Sequence, residues 1–397
     1  MSTPEERAAR VMACETVDEL KELLRPTRER REMHERAGTR DPSEFSLTMG
    51  NPPYQKEGAP VERGQVQPTS IFHYFQDVAS VISRATVMIY PGGRWMQQGG
   101  KGMKEFGRRQ MNDPHLVKLE YYPKKTADRL FPLASIADGV SIVMKSVAKT
   151  TPGFCFNGIK VDAPGDRILP ITPTYIPVVK RLNEWMDEND CQTVNEGVEA
   201  LRVYSIESSF AEDFPELVFS CSEHEYPPAE INRPVRLLTN NKAGKAGRPA
   251  WFFMDRDNLP TGHHMVDRWQ VVIKSAQFPH ETNQWARSII IGKGEAHGRV
   301  KASIADFATR EEAENFQQYM RTKLCTKLYL ESINGALSNI CAFVPNLKGY
   351  TDDNPLFKSD MDLGRAHEYF GLSLNNRLYK LFGLNEAEIA VIENSAS

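Results

Sequence analysis

The sequence predicts an α/β fold that opens with half of a layered sheet, continues as an irregular α+β region and closes in helices. Three observations predict it. Between Phe45 and Val147 apolar runs of strand length alternate with one helical repeat after another. From Thr151 to about Val300 the period is lost among short apolar runs, prolines and charge clusters. Beyond that point helical spacing returns. The expected divisions are residues 1–45, 46–150, 151–300 and 301–397.

In the first 45 residues, Ser2-Thr3-Pro4-Glu5-Glu6 reads as a cap with proline and acids in the first turn. Thr16 to Glu19 is a capping box, followed by Leu20, Leu23 and Leu24 on one helical face and closed by Pro26. Phe45 to Met49 reads as a strand ending at Gly50. Gln55 to Pro68 carries too many chain breakers for regular structure. Ile71, Phe75, Val78, Ala79 and Ile82 then keep helical spacing, so Ser70 to Ser83 is a helix. Thr86 to Tyr90 is a strand, Gly102 to Met111 an amphipathic helix and Leu116 to Tyr122 a strand. Ser135 to Val147 is a strand pair or one long bent strand. Residues 309–341 are helical through Glu312, Phe316, Tyr319, Leu324 and Leu328, and Asn376 to Glu393 forms the last helices.

A 397-residue chain with 40% hydrophobic and 25% charged residues has the composition of a soluble globular protein. No apolar run approaches the roughly 20 residues of a membrane span, and the charged amino terminus is not a secretory signal. The six cysteines form no Cys-x-x-Cys pair, which fits reduced thiols in a cytoplasm. The net charge of −3 excludes nothing, but its distribution is uneven. Arg94 to Arg129 holds nine Lys/Arg against four Asp/Glu, and Glu184 to Glu225 holds twelve Asp/Glu against Arg202 alone. The first stretch suits a phosphate backbone and the second repels one. No metal set is complete: His263, His264 and His280, or Cys221 with His224, lack four-ligand spacing.

The chemistry concentrates in Asn51-Pro52-Pro53-Tyr54, directly after the strand that ends at Gly50. Methylating an exocyclic amine is hard because its lone pair is delocalised into the ring. A site that accepts hydrogen bonds from both amine hydrogens localises that lone pair. The Asn51 side-chain carbonyl and the Pro52 backbone carbonyl are two such acceptors. Consecutive prolines fix φ and hold the carbonyls still. Tyr54 offers a face for a base flipped out of its duplex. The competing reading is a turn after a strand, with Tyr54 as a packing aromatic.

Leu47 to Gln55 (LTMGNPPYQ) followed by Ser70 to Phe75 (SIFHYF) resembles the catalytic half of type II restriction–modification adenine-specific DNA methyltransferases. Further segments resemble that family in order. These are Thr86 to Trp95 with Pro91-Gly92-Gly93-Arg94-Trp95, then Phe131-Pro132 before Ile136 to Ile142, then Arg268 to Ile273, Phe343 to Pro345 and Leu378 to Ile389. The resemblance implies a partial Rossmann-like methyltransferase sheet over 46–150, a target-recognition or docking domain over 151–300 and a C-terminal helical region. It implies that Asn51 and Pro52 grip the amine of a flipped adenine, that Tyr54 stacks on it, and that Gly139 and Val140 line the base pocket. Arg94, Lys101, Lys104, Arg108 and Arg109 become candidates for the DNA backbone. S-adenosylmethionine is the implied methyl donor, double-stranded DNA the implied partner, and the cytoplasm of a bacterial or phage-infected cell the implied location.

The family's Gly-rich cofactor motif lies well upstream of the catalytic loop, where this chain has fifty residues with Gly38 as the only glycine before Gly50. The nearest substitute, Ser288 to Gly298, is a strand followed by spaced glycines, so the cofactor-binding residues stay unassigned. Three explanations stand: a second protein subunit supplies the cofactor-binding half, the chain binds the cofactor in an unfamiliar way, or it has lost catalysis. The last gives the rival reading, a catalytically inactive methyltransferase-derived protein that binds DNA or a partner protein in an anti-restriction or regulatory role.

Overall fold

In the strand Ala85–Pro91 every second side chain is buried, namely Thr86, Met88 and Tyr90. That two-residue period is the mark of a strand with one face covered. A computed structural model gives the architecture around it. It describes residues 45–56, 69–100, 102–132, 139–196, 203–244, 246–274, 288–331, 341–348 and 372–394, with isolated positions between 19 and 36. The helices expected over residues 2–40 lie outside the described residues apart from those positions. Two compact units result, Met1–Leu169 and Pro170–Ser397.

The first unit is a mixed α/β sheet. Thr48–Gly50 is β1, and a short ladder of β2 (Gln55–Lys56) and β3 (Thr69–Ser70) closes the ends of the breaker-rich stretch. Ala85–Pro91 is β4, Leu116–Tyr122 β5, Val140–Ser146 β6, Phe154–Phe156 β7 and Ile159–Val161 β8. The order across the sheet is β1-β4-β6-β5-β7-β8. β1 runs parallel to β4, while β6 lies antiparallel between β4 and β5. The stretch expected as a strand pair or a bent strand is therefore, in its described part, one strand with a neighbour on each side. Ser135 to Asp138 lie outside the described residues.

Helices α1 (Phe72–Ile82) and α2 (Lys104–Met111) cover the face that bears Tyr90. Phe72, Tyr90, Trp95 and Phe106 interlock there, with ring centroids 4.9–6.0 Å apart. Gln76 of α1 is buried and ties the helix to the sheet through Thr86 Oγ1 at 3.1 Å and the Tyr90 hydroxyl. Trp95 Nε1 donates to Ser141 Oγ at 2.9 Å, joining the segment after β4 to β6. Gly107 sits where α2 crosses this segment, and a Cβ there would stand 2.0 Å from the Trp95 carbonyl oxygen. Helix α3 (Lys124–Leu130) has no apolar repeat in its sequence, KKTADRL, and gave no periodic signal.

The second unit holds a helix, α4 (Ile176–Glu188), whose buried Val178, Val179, Leu182 and Met186 were hidden in a stretch read as irregular. After it come the short helix α5 (Phe210–Asp213) and the strands β9 (Phe219–Ser220), β10 (Pro234–Asn240), β11 (Pro249–Asp255), β12 (Trp269–Lys274), β13 (Ile289–Ile291), β14 (Glu295–His297) and β15 (Lys301–Phe307). They form a four-stranded sheet, β14-β10-β11-β9, and a three-stranded one, β13-β12-β15. Tyr204, Leu237, Met254, Val266 and Ala296 pack in one core. Helices α6 (Arg310–Met320) and α7 (Lys323–Leu330) fall within the expected helical run. α6 begins at a capping box between Thr309 and Glu312. Helices α8 (Leu374–Leu381) and α9 (Glu386–Asn394) close the chain.

Glu331, at the end of α7, is almost completely buried and accepts from the Thr172 amide at 2.8 Å. Burial pushes its carboxyl up from about 4.5 to about 7.

Two stability predictions follow from these contacts. Gly→Ala inside a helix ordinarily gains up to about 1 kcal/mol. At Gly107 the added methyl meets backbone instead, so Gly107→Ala is expected to lose about 1–3 kcal/mol in urea unfolding. For Glu331, between about pH 4.5 and 7 the folded state keeps a proton that the unfolded state has released. This raised carboxyl therefore contributes a stability that falls as pH rises through that window. Glu331→Gln is expected to flatten the fall, a difference on the order of 3 kcal/mol between pH 4 and pH 8. Paired unfolding curves at the two pH values measure it.

Candidate active site

The strand directions decide which loops meet. β1, β4 and β5 run one way, so the loops that follow Gly50, Pro91 and Tyr122 emerge at one edge of the sheet. β6 runs the other way and starts at that edge, with Val140 opposite both Pro91 and Tyr122. Asn51 to Tyr54, Gly92 to Arg94, Pro123-Lys124 and Gly139-Val140 thus share the carboxyl edge. That is where open α/β sheets bind ligands.

Asn51 is exposed, Pro52 buried, Pro53 exposed and Tyr54 half-buried. Among the described residues no side chain or backbone group holds the Asn51 carboxamide, so its oxygen is free to accept. The Ile71 amide donates to the Tyr54 carbonyl at 3.1 Å, and Gln55 pairs with Ser70. The loop is thereby tied at its far end to the start of α1, and Pro52 is anchored by burial at its near end. Burial raises the Tyr54 phenol above its usual value of 10, so the ring stays neutral.

Gly139 adopts φ +81°, and a Cβ on it would stand 2.2 Å from the Tyr122 carbonyl oxygen. Only glycine fits that turn. Its own carbonyl accepts from the Gly92 amide at 2.7 Å, which locks the mouth of β6 to the turn after β4. Val140 is 0% exposed. At this edge it offers packing beneath the surface and no side-chain face to a ligand.

The cationic candidates divide. Arg94 opens the 3-10 turn Arg94–Gln97 at the carboxyl edge, and Lys104 starts α2. Lys101 lies outside the described residues. Arg108 and Arg109 are carried away from the edge by the crossover helix, about 6–8 Å beyond Lys104. They pair with carboxylates, Arg108 with Asp166 at 3.1 Å and with Glu105, and Arg109 with Asp77 at 2.8 Å. These pairs are exposed and individually weak. The sequence reading passed over Lys124 and Lys125, which begin α3 at the carboxyl edge itself. The sequence signal was a basic pair directly after the strand expected over Leu116 to Tyr122. Lys124 pairs with Asp128 at 2.9 Å.

A nucleoside sulfonium donor needs an acceptor for its ribose hydroxyls and favours negative charge near its sulfur. The described residues of the edge are neutral or cationic, and Asp128 is taken up by Lys124. They fit an amine substrate and do not fit the donor. Ser288 to Gly298 does not replace the missing cradle: β13 is followed by β14 in a different sheet, where a phosphate or ribose cradle would need a strand leading into a helix. Among the described residues no group of three His, Cys, Asp or Glu could hold a metal ion. No helix among them is long and apolar enough to cross a membrane.

No curated protein matches this chain. Among solved structures it is similar to the type I restriction-modification system methyltransferase subunit from Streptococcus thermophilus. That likeness has 13% identity and a TM-score of 0.20 over 38% of this chain and 37% of the other. It is also similar to the type IIG restriction endonuclease BpuSI, with 10% identity and a TM-score of 0.27 over 87% of this chain and 54% of the other. The chain thus spans less than two thirds of either protein, and at these TM-scores neither likeness fixes an architecture. The sequence match is more direct: residues 9–127, which contain the Asn51 loop, β4, α2 and β5, match the Eco57I restriction-modification methylase family.

Proposed function

We propose that this chain is a DNA adenine methyltransferase, or the catalytic part of one, acting in a bacterial restriction–modification system. The observation that carries the reading is the Asn51 loop. It is a rigid Asn-Pro-Pro-Tyr turn with a free carboxamide at the carboxyl edge of a mixed α/β sheet, inside the segment that matches the restriction-modification methylase family. In this reading the Asn51 carboxamide oxygen and the Pro52 carbonyl accept the two hydrogens of the adenine exocyclic amine. The amine lone pair is then directed out of the ring plane, and Tyr54 stacks on the flipped base. The Gly139 turn and Val140 back the pocket, and Arg94, Lys101 and Lys104 hold duplex phosphates, whereas Arg108 and Arg109 are already paired with carboxylates. S-adenosylmethionine is the methyl donor.

The donor's cradle is assigned to a second protein subunit. The exposed side of β1 supports this, since β1 is the outermost strand of its sheet among the described residues. Met49 in it and Phe45 and Leu47 just before it alternate in sequence and are 68%, 52% and 48% exposed. Parallel strands are ordinarily covered on both faces. A second reading, an inactive relative that docks on DNA or on a partner, draws on the acid run Glu184 to Glu225, where Glu188, Glu212, Asp213 and Glu216 are exposed.

Two measurements test the first reading. Asn51→Ala is expected to lower adenine methylation in the cells that carry the chain by about 10²–10³-fold. Tyr54→Phe keeps the stacking face and changes it little, whereas Tyr54→Ala loses about 1–3 kcal/mol of stacking. Adenine methylation unchanged in Asn51→Ala would hand the case to the second reading. In calorimetry the chain alone is expected to give no heat with micromolar S-adenosylmethionine. Micromolar binding would remove the need for a second subunit.

A further inference from the structure

The four-stranded sheet of the second unit has uneven strands. β10 and β11 pair along their whole length, from Pro234 opposite Asp255 to Asn240 opposite Pro249. Their outer neighbours stop short. β14 pairs only with Arg236 to Leu238, and β9 only with Phe252 and Phe253. From Thr239 to Ala250 the hairpin runs on as a two-stranded ribbon without a flanking strand among the described residues. Its tip, Asn241 to Arg248, reads NKAGKAGR. It contains Lys242, Lys245 and Arg248 and no acid.

On either side of Lys245 the described residues of the tip are held in place. The Asn241 amide donates to the Arg248 carbonyl at 2.9 Å, and the Arg248 amide donates to Asn241 Oδ1 at 2.9 Å. The Gly247 amide donates to the Gly244 carbonyl at 3.1 Å, and Gly244 has φ +77°. A Cβ on Gly247 would stand 1.8 Å from the Lys242 carbonyl oxygen, so the loop closes only with glycine there. Glu212 of α5 accepts from the Ala243 amide at 2.7 Å and steadies the tip from one side.

The arginines of the neighbouring strands and turns are already neutralised. Arg233 pairs with Asp257, Arg236 with Glu295, Arg256 with Asp267, Arg268 with Asp306 and Arg299 with Glu207, all at 3.0 Å or less. Lys242 and Arg248 are exposed and, among the described residues, have no carboxylate partner. Cations that are already neutralised gain little from a phosphate, whereas free ones release counterions on meeting it. A major groove about 12 Å wide admits a two-stranded ribbon.

We propose that the β10–β11 ribbon is a DNA-contacting element, with its tip seated in the major groove of a duplex and Lys242 and Arg248 on the phosphates. The inference rests on the reading of this chain as a DNA methyltransferase and names the element that holds its substrate.

The test is fluorescence anisotropy of the full chain with a short labelled duplex across a salt series. Lys242→Ala/Arg248→Ala is expected to weaken binding and to reduce the slope of log K against log salt by about 2, one for each phosphate contact. Arg233→Ala/Arg299→Ala, which removes the same charge from paired positions, is expected to leave the slope unchanged. Gly247→Ala keeps every charge and is expected to weaken binding by distorting the tip. A slope in Lys242→Ala/Arg248→Ala equal to that of the parent overturns the proposal. So does a parent that ignores the duplex but binds heparin through these two residues, which would mark the ribbon as a dock for an acidic partner. Methylation stays a separate readout: loss of methylation in Asn51→Ala with duplex binding intact leaves the ribbon untouched. Ribbon variants that bind as the parent does leave the methyltransferase reading untouched.

Discussion

The edge that carries Asn51 depends on one insertion, the entry of β6 between β4 and β5 against their direction. Strands that run together deliver their ends to one side, and an antiparallel strand between them must begin on that side. The turn into β6 therefore has to pass through the same narrow space as the loops it joins. Gly139 meets that demand with a left-handed backbone held against Tyr122, and its carbonyl is gripped by Gly92. The aromatic layer beneath follows from the same insertion. Ser141, on the inserted strand, receives the Trp95 indole, and Trp95 in turn packs on Phe106 and Tyr90.

Rigidity at this edge is bought with backbone more than with side chains. Pro52 and Pro53 have fixed φ, the Tyr54 carbonyl is held by Ile71, and the glycine turns are locked by amide-to-carbonyl bonds. The Asn51 carboxamide is left without a partner among the described residues. A polar group kept ready on a rigid frame needs little reorganisation when a ligand arrives, and reorganisation is what makes hydrogen bonds expensive in water. The second unit follows another rule. Four of its buried polar groups satisfy one another in a chain from Tyr204 through Gln270 and Ser303 to His297. Burial there lowers the imidazole to about 4, which keeps His297 neutral at physiological pH.

Much of the first sheet was legible because its strands are covered on one face and its helices repeat. Leu116–Tyr122 falls on the residues that the alternation indicates, and the loop of Asn51 stands out by its residue types alone. What was hidden has physical causes. α3 is short and polar, so no period marks it. α4 begins at a proline within a proline-rich stretch, and its apolar positions 178, 182 and 186 were read as noise. Pairing partners are not written in a strand, so neither the placement of β6 nor the burial of Val140 could be read off. Ion pairs across the sequence were equally hidden: Arg108 and Arg109 look like free cations until Asp166 and Asp77 are placed beside them.

The outermost strand of the first sheet has a consequence for handling the protein. Among the described residues no strand pairs with the outer edge of β1, and such an edge beside the exposed Phe45, Leu47 and Met49 is a template for another strand, including one from a neighbouring copy. Proteins usually guard such an edge with a lysine, a proline or a bulge, and between Phe45 and Gly50 this one has none of these. In a concentrated solution of the isolated chain, self-association through this strand is the expected competitor of any other occupant, and dilution is expected to keep the edge open.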